Sequence, residues 1–385
     1  MSDASREMVN SLLDSIEGQF VNGIAVSRGM TVDDVREAIN TGPVLASQLV
    51  SLGLLDGIKH VEELAALADA PVVRGAVYRD SPVASVGFEA VAHYALIYGS
   101  GTVVAGRGSA SPTGSPVFAA GAFSKALEAA GADSEIDAII LRIDSPGGSA
   151  AASEEIWYAI RKLKSGPNSK PVIASFSDVA ASGGYYVASA ADGIVASPGS
   201  ITGSIGVFAL RPSFGGLLDK LGIKVEWLTR GDHADMLLST QPLSEAAQAR
   251  LQQSVVEIYE LFLARVASGR SLSIAEVDAV GQGRVWTAAQ AFERGLVDEL
   301  GGLHTAVKRA KRAQGLAEDA DVALIPYPQP KPLLEQLAEV MDLRLAALAR
   351  SSVRLPGVLE VLRNHLIDLP EGTPLLIPPI IVDIH

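Results

Sequence analysis

The chain has no cysteine, which excludes disulfides, thiolate metal sites and thiol catalysis and says nothing about compartment. Positive charge is scarce. The 31 lysines and arginines face 44 acidic residues, and the net charge of −13 leaves no basic footprint for nucleic acid, so no nucleic-acid partner is expected. Aromatic residues are few, and the Ala-, Gly- and Leu-rich remainder suits an α/β enzyme. No run approaches the ~20 apolar residues of a membrane span, and MSDASREMVN has neither the basic start nor the apolar core of a signal peptide. The chain therefore reads as soluble. Its closest apolar tract, PLLIPPIIVDI, is broken by prolines and reads as an edge strand. H-E-x-x-H and Cys/His spacings are missing, so neither metal nor cofactor is expected, and no G-x-S-x-G elbow is present.

What is present is enough chain, 385 residues, for about two to three domains with a substantial apolar core. Sliding the sequence against itself by 242 positions gives a gapless match. Ile16, Phe20, Ala25 and Arg28 fall on Ile258, Phe262, Ala267 and Arg270, SRGMTVDDV lies over GRSLSIAEV, and Gln48, Gly53 and Asp56 meet Gln290, Gly295 and Asp298. Two helical segments can coincide by composition, but the paired glycines and aspartates favour a true repeat. The reading expects residues 1 to about 60 to be the tail of a first copy and about 80 to 310 to be the second. On that view the chain is truncated, or its start is misplaced.

Short apolar runs at 95–99, 138–143, 171–176, 193–197, 205–210 and 224–228 read as strands covered on both faces. Between two of them SAAASEEIWYAIRKLK carries a stripe of Ile156, Ala159, Ile160 and Leu163, with Ser149 marking its start. Strand, helix, strand implies parallel pairing, with ligands beyond the carboxyl ends of the strands. Two loops fall there, IDSPGGS and DVAASGG, each ending in paired glycines before a helix. RGSASPTGSP reads as a mobile loop, and a helix is expected over 333–350.

Ser182 opens the second helix, followed by Gly183. A serine there can be a plain N-cap. It can also be a nucleophile, with the Gly183 amide and that of Gly147 or Gly148 facing an oxyanion. Asp144 reads as a turn residue; GSITGSIG lacks the lysine ending of a phosphate loop.

LRIDSPGGS, KPVIASFSDVAASGGYYVASAADGIVASPGSITGSIGVF and GRVWTAAQAFERGLVDELGG together resemble the signal peptide peptidase (protease IV) family of serine peptidases. The resemblance implies an α/β fold of the Clp protease/crotonase type, a mostly parallel sheet with helical arms. It covers residues 80–312 as a peptidase domain, with 1–70 the helical tail of the first repeat and 313–385 a C-terminal extension. It makes Ser182 the nucleophile, Gly147, Gly148 and Gly183 the oxyanion donors, and Ser204 a hydroxyl supporting the base. It also implies a peptide substrate, a homo-oligomer and membrane association at the outer face of the inner membrane.

The family's base is a lysine, useful only when burial leaves it neutral. Here TRGDHADMLL has Ala234 where short members carry it. In the long form it comes from the first copy, which by the 242 offset places it before Met1. His233 is a weak substitute, and Lys220 and Lys224 read as surface charges. The leading expectation is a peptidase cleaving apolar peptides through an acyl-enzyme on Ser182. The rival is a catalytically silent, oligomerising or peptide-binding module; an acyl-CoA enzyme of crotonase type is a third.

Overall fold

A computed structural model describes residues 1–43, 45–67, 72–73, 75–79, 81, 87–108, 116–231, 233–236 and 238–328. The expected helix over 333–350, the C-terminal edge strand and most of the RGSASPTGSP loop lie outside these residues. The chain forms two compact units, Met1–His93 with Leu316–Ala323, and Tyr94–Gly315 with the chain from Leu324 onward.

The first unit is helical: α1 Asp3–Arg28, α2 Val32–Thr41, α3 Ala46–Ser51, α4 Val61–Leu67 and α5 Gly75–Arg79. Its first boundaries are chemical. The Ser2 hydroxyl accepts the Ser5 N–H, and Gly29 at φ +63° returns its N–H to Ala25. Thr31 and Asp34 cap α2 reciprocally. Val21, Ala25 and Val35 form a small core.

The second unit runs β1 Ala92–Ser100, β2 Thr102–Val104, β3 Val117–Ala119, α6 Ala120–Ala132, β4 Ala138–Ser145, α7 Ala150–Ser165, β5 Val172–Ala181, α8 Gly183–Ala188, β6 Gly193–Ala196 and β7 Ile201–Gly203. It continues through α9 Gly215–Lys220, α10 Glu245–Arg270, α11 Ile274–Val280, β8 Val285–Thr287, α12 Ala288–Glu293, β9 Glu299–Leu300, α13 Leu303–Ala313 and β10 Val322–Tyr327. The main sheet has the order β10-β1-β4-β5-β6-β9, and its pairings from β1 to β9 are parallel. This is the expected α/β class. Successive Ile139, Ile140 and Leu141 are all fully buried, as an unbroken apolar strand requires when both faces are covered. Ile156 and Ile160 bury the stripe of α7, and Ser149 caps it through the Ala152 N–H.

Two of the expected strands do not form. The run 205–210 is irregular because the β5–β7 ladder ends at Ala181 and Gly203, after which Ser204 turns the chain at φ +50° and gives its N–H to Arg284 O. Beyond the turn no ladder partner exists among the described residues, and Phe208 and Leu210 stand 90% and 86% exposed. The run 224–228 likewise belongs to no sheet, with Leu228 exposed.

The 242-residue offset reappears in the coordinates. α1 and α10 are both 26 residues long, their caps Ser2 and Ser244 are one offset apart, and α3 and α12 start and end one offset apart. Arg28 bonds Gly53 O through Nε (2.8 Å) and both oxygens of Asp56, while Arg270 bonds Gly295 O (3.0 Å) and both oxygens of Asp298. The environments differ. The Asp56 side chain is 91% exposed, whereas Arg270 is 8% exposed and Asp298 also accepts the Ile194 N–H of β6 at 2.7 Å.

Burial by itself pushes the Asp298 carboxyl up, but its hydrogen bonds and charge attraction to Arg270 outweigh that and hold it below the ordinary value. A depressed carboxylate contributes stability that is complete above its unfolded value near ~3.9 and disappears as pH falls through the folded one. Asp298→Asn should cost about 3–5 kcal/mol at neutral pH, because it leaves a buried arginine uncompensated. In chemical denaturation the gap to wild type should close as pH drops below ~4. Asp56→Asn should be indistinguishable from wild type. A gap at Asp298 that does not vary with pH would contradict this account.

Candidate active site

The site is assembled where β4 and β5 stop running in step. Their register slips between Ile143 and Ser145, and at the slip Asp144 Oδ1 accepts the Val179 N–H at 3.2 Å while its carbonyl accepts the Gly101 N–H. Asp144 thus fastens the strand ends from within β4, not from the turn expected of it, because its ladder with β1 continues through Ser100. The next residues form the glycine loop. Fully buried Ser145 accepts the Gly147 N–H through Oγ at 3.2 Å. On the other side Val103 of β2 donates to Gly147 O and accepts the Ser149 N–H, each at 2.9 Å. Gly147 and Gly148 have φ of +102° and +154°, values that side chains rarely tolerate. This bonding leaves the Gly148 N–H without an acceptor among the described residues.

β5 ends in the second loop. Ser182 has φ +50° and ψ −119°, uncommon for a residue with a Cβ. It is held there by its N–H to Gly203 O (2.9 Å) and by its carbonyl, which accepts the Tyr186 N–H (2.8 Å). The hydroxyl makes no capping bond, so the plain N-cap reading has no support in the geometry. Gly183 begins α8, where an N–H has no intrahelical acceptor.

The glycines permit close packing. A Cβ on Gly147 would lie 2.7 Å from both the Ser182 Cβ and the Gly183 N, one on Gly183 would meet Ser153 Oγ at 2.5 Å, and one on Gly184 would meet Ser145 O at 2.8 Å. The Gly148 N lies 3.2 Å from the same point beside Gly183. The two loops therefore touch, and the Gly148 and Gly183 amides come close together beside Ser182. Ser204 stands next in line on β7: Ala181 pairs with Gly203, and the following serine on each strand adopts φ +50°.

A cleft of about 330 Å³ opens at this point. Gly148, Ser182 and Gly183 form its polar end, and Tyr186 of α8 with Leu251, Val255, Ile258 and Phe262 of α10 form an apolar wall. Among the described residues its lining includes no lysine, histidine or carboxylate. His233 is exposed in a turn over 233–236, outside this lining, and Ala234 is half-buried beside it. Lys220 and Lys224 face solvent, as surface charges should.

The wall was not foreseen in the sequence. Tyr186 follows Ser182 by one helical turn, and α10 carries an i, i+4, i+7, i+11 series, but neither pattern differs from ordinary core packing.

The model for peptidase family S49 matches residues 165–317, the segment from the end of α7 to beyond α13. A protease of Synechocystis sp. is 38% identical over 200 residues, which cover 52% of this chain and 71% of the relative. The chain belongs to peptidase family S49. A further relative, the chloroplastic serine protease SPPA of Arabidopsis thaliana, is 33% identical over 352 residues, 88% of this chain. The chain spans about half of that relative, 51% of its length. Among solved structures, a ClpP1 variant from Listeria monocytogenes aligns with 56% of this chain and 95% of its own, at 16% identity and a TM-score of 0.36. Within this S49 chain residues 94–315, an α/β unit, hold almost all of the matched segment.

The close approach at Gly147 sets a measurable limit. Gly283 has φ +76° with nothing near its absent Cβ, so it isolates the backbone strain from the crowding. Gly147→Ala should destabilise by about 1–3 kcal/mol more than Gly283→Ala, the usual cost of overpacking. For a unit of this size that is a further fall in Tm of roughly 3–10 °C in scanning calorimetry. Equal melting of the two variants would remove the close-packing argument.

Proposed function

We propose that this chain is a serine endopeptidase of the signal peptide peptidase type, hydrolysing apolar peptides through an acyl-enzyme on Ser182. The single observation that carries the reading is the contact of the two glycine loops, which leaves the Gly148 and Gly183 amides free beside an uncapped serine. Ser182 Oγ attacks the scissile carbonyl carbon, and the carbonyl oxygen becomes an anion held by those two amides. Collapse of the adduct breaks the C–N bond, and the proton lost by the hydroxyl reaches the leaving amine by way of a base. Water then cleaves the ester and regenerates the serine. Gly147, whose own N–H is committed to Ser145, serves by its bareness. Ser204, beside the nucleophile on β7, supports the base through its hydroxyl.

The apolar wall of α8 and α10 suits an extended apolar peptide. Relatives known as proteases, serine protease SPPA of Arabidopsis thaliana among them, support the peptidase class.

A second reading is favoured by one specific observation. The lysine implied by the family resemblance has no counterpart in the cleft lining, and His233 lies outside it. A chain without a base would bind peptide and not turn it over. An alkyl fluorophosphonate separates the two: the peptidase reading expects stoichiometric modification at Ser182, located by mass spectrometry and abolished by Ser182→Ala. Unmodified Ser182 in a folded, peptide-binding protein would leave the binding module.

Assembly is part of the proposal, with a homo-oligomer expected at the cell envelope. Among the described residues no helix is long and apolar enough to cross a membrane. Sedimentation should show a species heavier than the 40.0 kDa chain; a single monomeric boundary at micromolar concentration would refute the oligomer.

A further inference from the structure

One carboxylate beside the cleft ties together three elements that the proposed reaction does not otherwise connect. Glu154 of α7 accepts the Tyr186 hydroxyl of α8 at 2.5 Å through Oε2. The same carboxylate takes a forked pair from Arg265 of α10, Nε to Oε2 at 3.1 Å and Nη2 to Oε1 at 2.5 Å. The guanidinium in turn lies 4.1 Å above the Trp157 ring, also on α7. Bidentate geometry and a stacked face fix an arginine in both position and plane.

Of the two groups held by Glu154, Tyr186 belongs to the apolar wall and Arg265 lies on α10, the helix that supplies the rest of it. The Tyr186 ring, 4% exposed, lines the cleft and packs on Phe262 at 4.7 Å between centroids. Phe262 precedes Arg265 by three residues on α10, and the same helix supplies Leu251, Val255 and Ile258 to the lining. A carboxylate that fixes Tyr186 and Arg265 therefore fixes the width of the cleft.

The internal repeat provides an independent comparison. α1 keeps the apolar counterparts of this wall, with Val9, Leu13, Ile16 and Phe20 at the positions of Leu251, Val255, Ile258 and Phe262. At the position of Arg265 it has Gly23. The apolar series thus recurs without the arginine, which occurs only in the copy that stands beside Ser182. An arm helix of this design does not need Arg265 in order to form: α1 is complete without it.

We infer that Glu154 is a positioning residue that sets substrate specificity, holding Tyr186 and Arg265 so that the cleft accepts a branched apolar side chain next to the scissile bond. This rests on the proposed peptide-binding reading of the cleft and not on turnover. Glu154 touches no substrate. It acts through the Tyr186 ring and through the seat of α10.

The test is fluorescence anisotropy with the full chain carrying Ser182→Ala, which binds without cleaving. The probes are two fluorescein-labelled peptides identical except for a central leucine or alanine. Glu154→Gln and Arg265→Met should each weaken the leucine peptide at least tenfold and the alanine peptide less than threefold. Tyr186→Phe, which keeps the ring on Phe262, should fall between these and the parent. Arg250→Met, which breaks the exposed Arg250–Glu257 pair on the same helix, should leave both affinities unchanged.

Equal weakening of both peptides by the Glu154 and Arg265 variants, or no weakening, overturns the inference, as does a parent chain that binds neither peptide. If those two variants fail to fold, by circular dichroism, Tyr186→Phe decides: unaltered discrimination overturns the inference. A chain that binds the leucine peptide yet resists the fluorophosphonate sinks the hydrolytic reading alone.

Discussion

Everything at this site depends on how near two pieces of backbone can come. Gly147 lies where any side-chain carbon would strike Ser182 and the following amide. In the proposed reaction the Gly148 and Gly183 amides brought together by that contact need no rearrangement when charge develops. Its surroundings are built to keep it closed. Ser145 occupies the Gly147 N–H from below, Val103 clasps the loop from the side, and Ser153 and the Ser145 carbonyl crowd the start of α8.

The energetic cost of this geometry is borne by the sheet. A serine at φ +50° is strained by itself, and such strain persists only where neighbouring interactions over-determine it. Ser182 is fixed by a strand ladder before it, a helical hydrogen bond after it, and the β7 carbonyl opposite it. The fold of the second unit thus serves mainly to impose a backbone conformation that the local sequence would not adopt. The Arg270–Asp298 pair does similar work for the arm, joining the end of α10 to β6 through the Ile194 amide.

Much of this was legible in the sequence, for physical reasons that can be named. Unbroken apolar strands such as 138–143 announce burial on both faces, and the paired glycines of 147–148 and 183–184 announce backbone that must stay bare. The 242-residue offset matched Arg28 with Arg270 and Asp56 with Asp298, and the coordinates add that each arginine pairs with the aspartate of its own copy. Two apolar runs misled, because a run of that kind specifies a strand only if a neighbour offers a ladder, and the left-handed turn at Ser204 carries 205–210 away from one. The wall of the cleft was hidden for a different reason. Glu154, Tyr186 and Phe262 are separated by 32 and then 76 positions, and their meeting depends on where α10 returns across α8, which no local pattern records.

The turn at Ser204 has a mechanical corollary. Its amide hangs on Arg284 O, and the Gly283 amide returns to Ile205 O, while Gln282 and Gly283 are themselves left-handed at φ +55° and +76°. Two irregular segments, 204–205 and 283–284, are thus tied to each other by a pair of backbone hydrogen bonds. Lengthening the 281–284 turn by one residue would pass its misalignment through β8 and β7 to the Gly203 carbonyl that seats Ser182, so this turn, remote in sequence, is as intolerant of insertion as the loop at Ser182 itself.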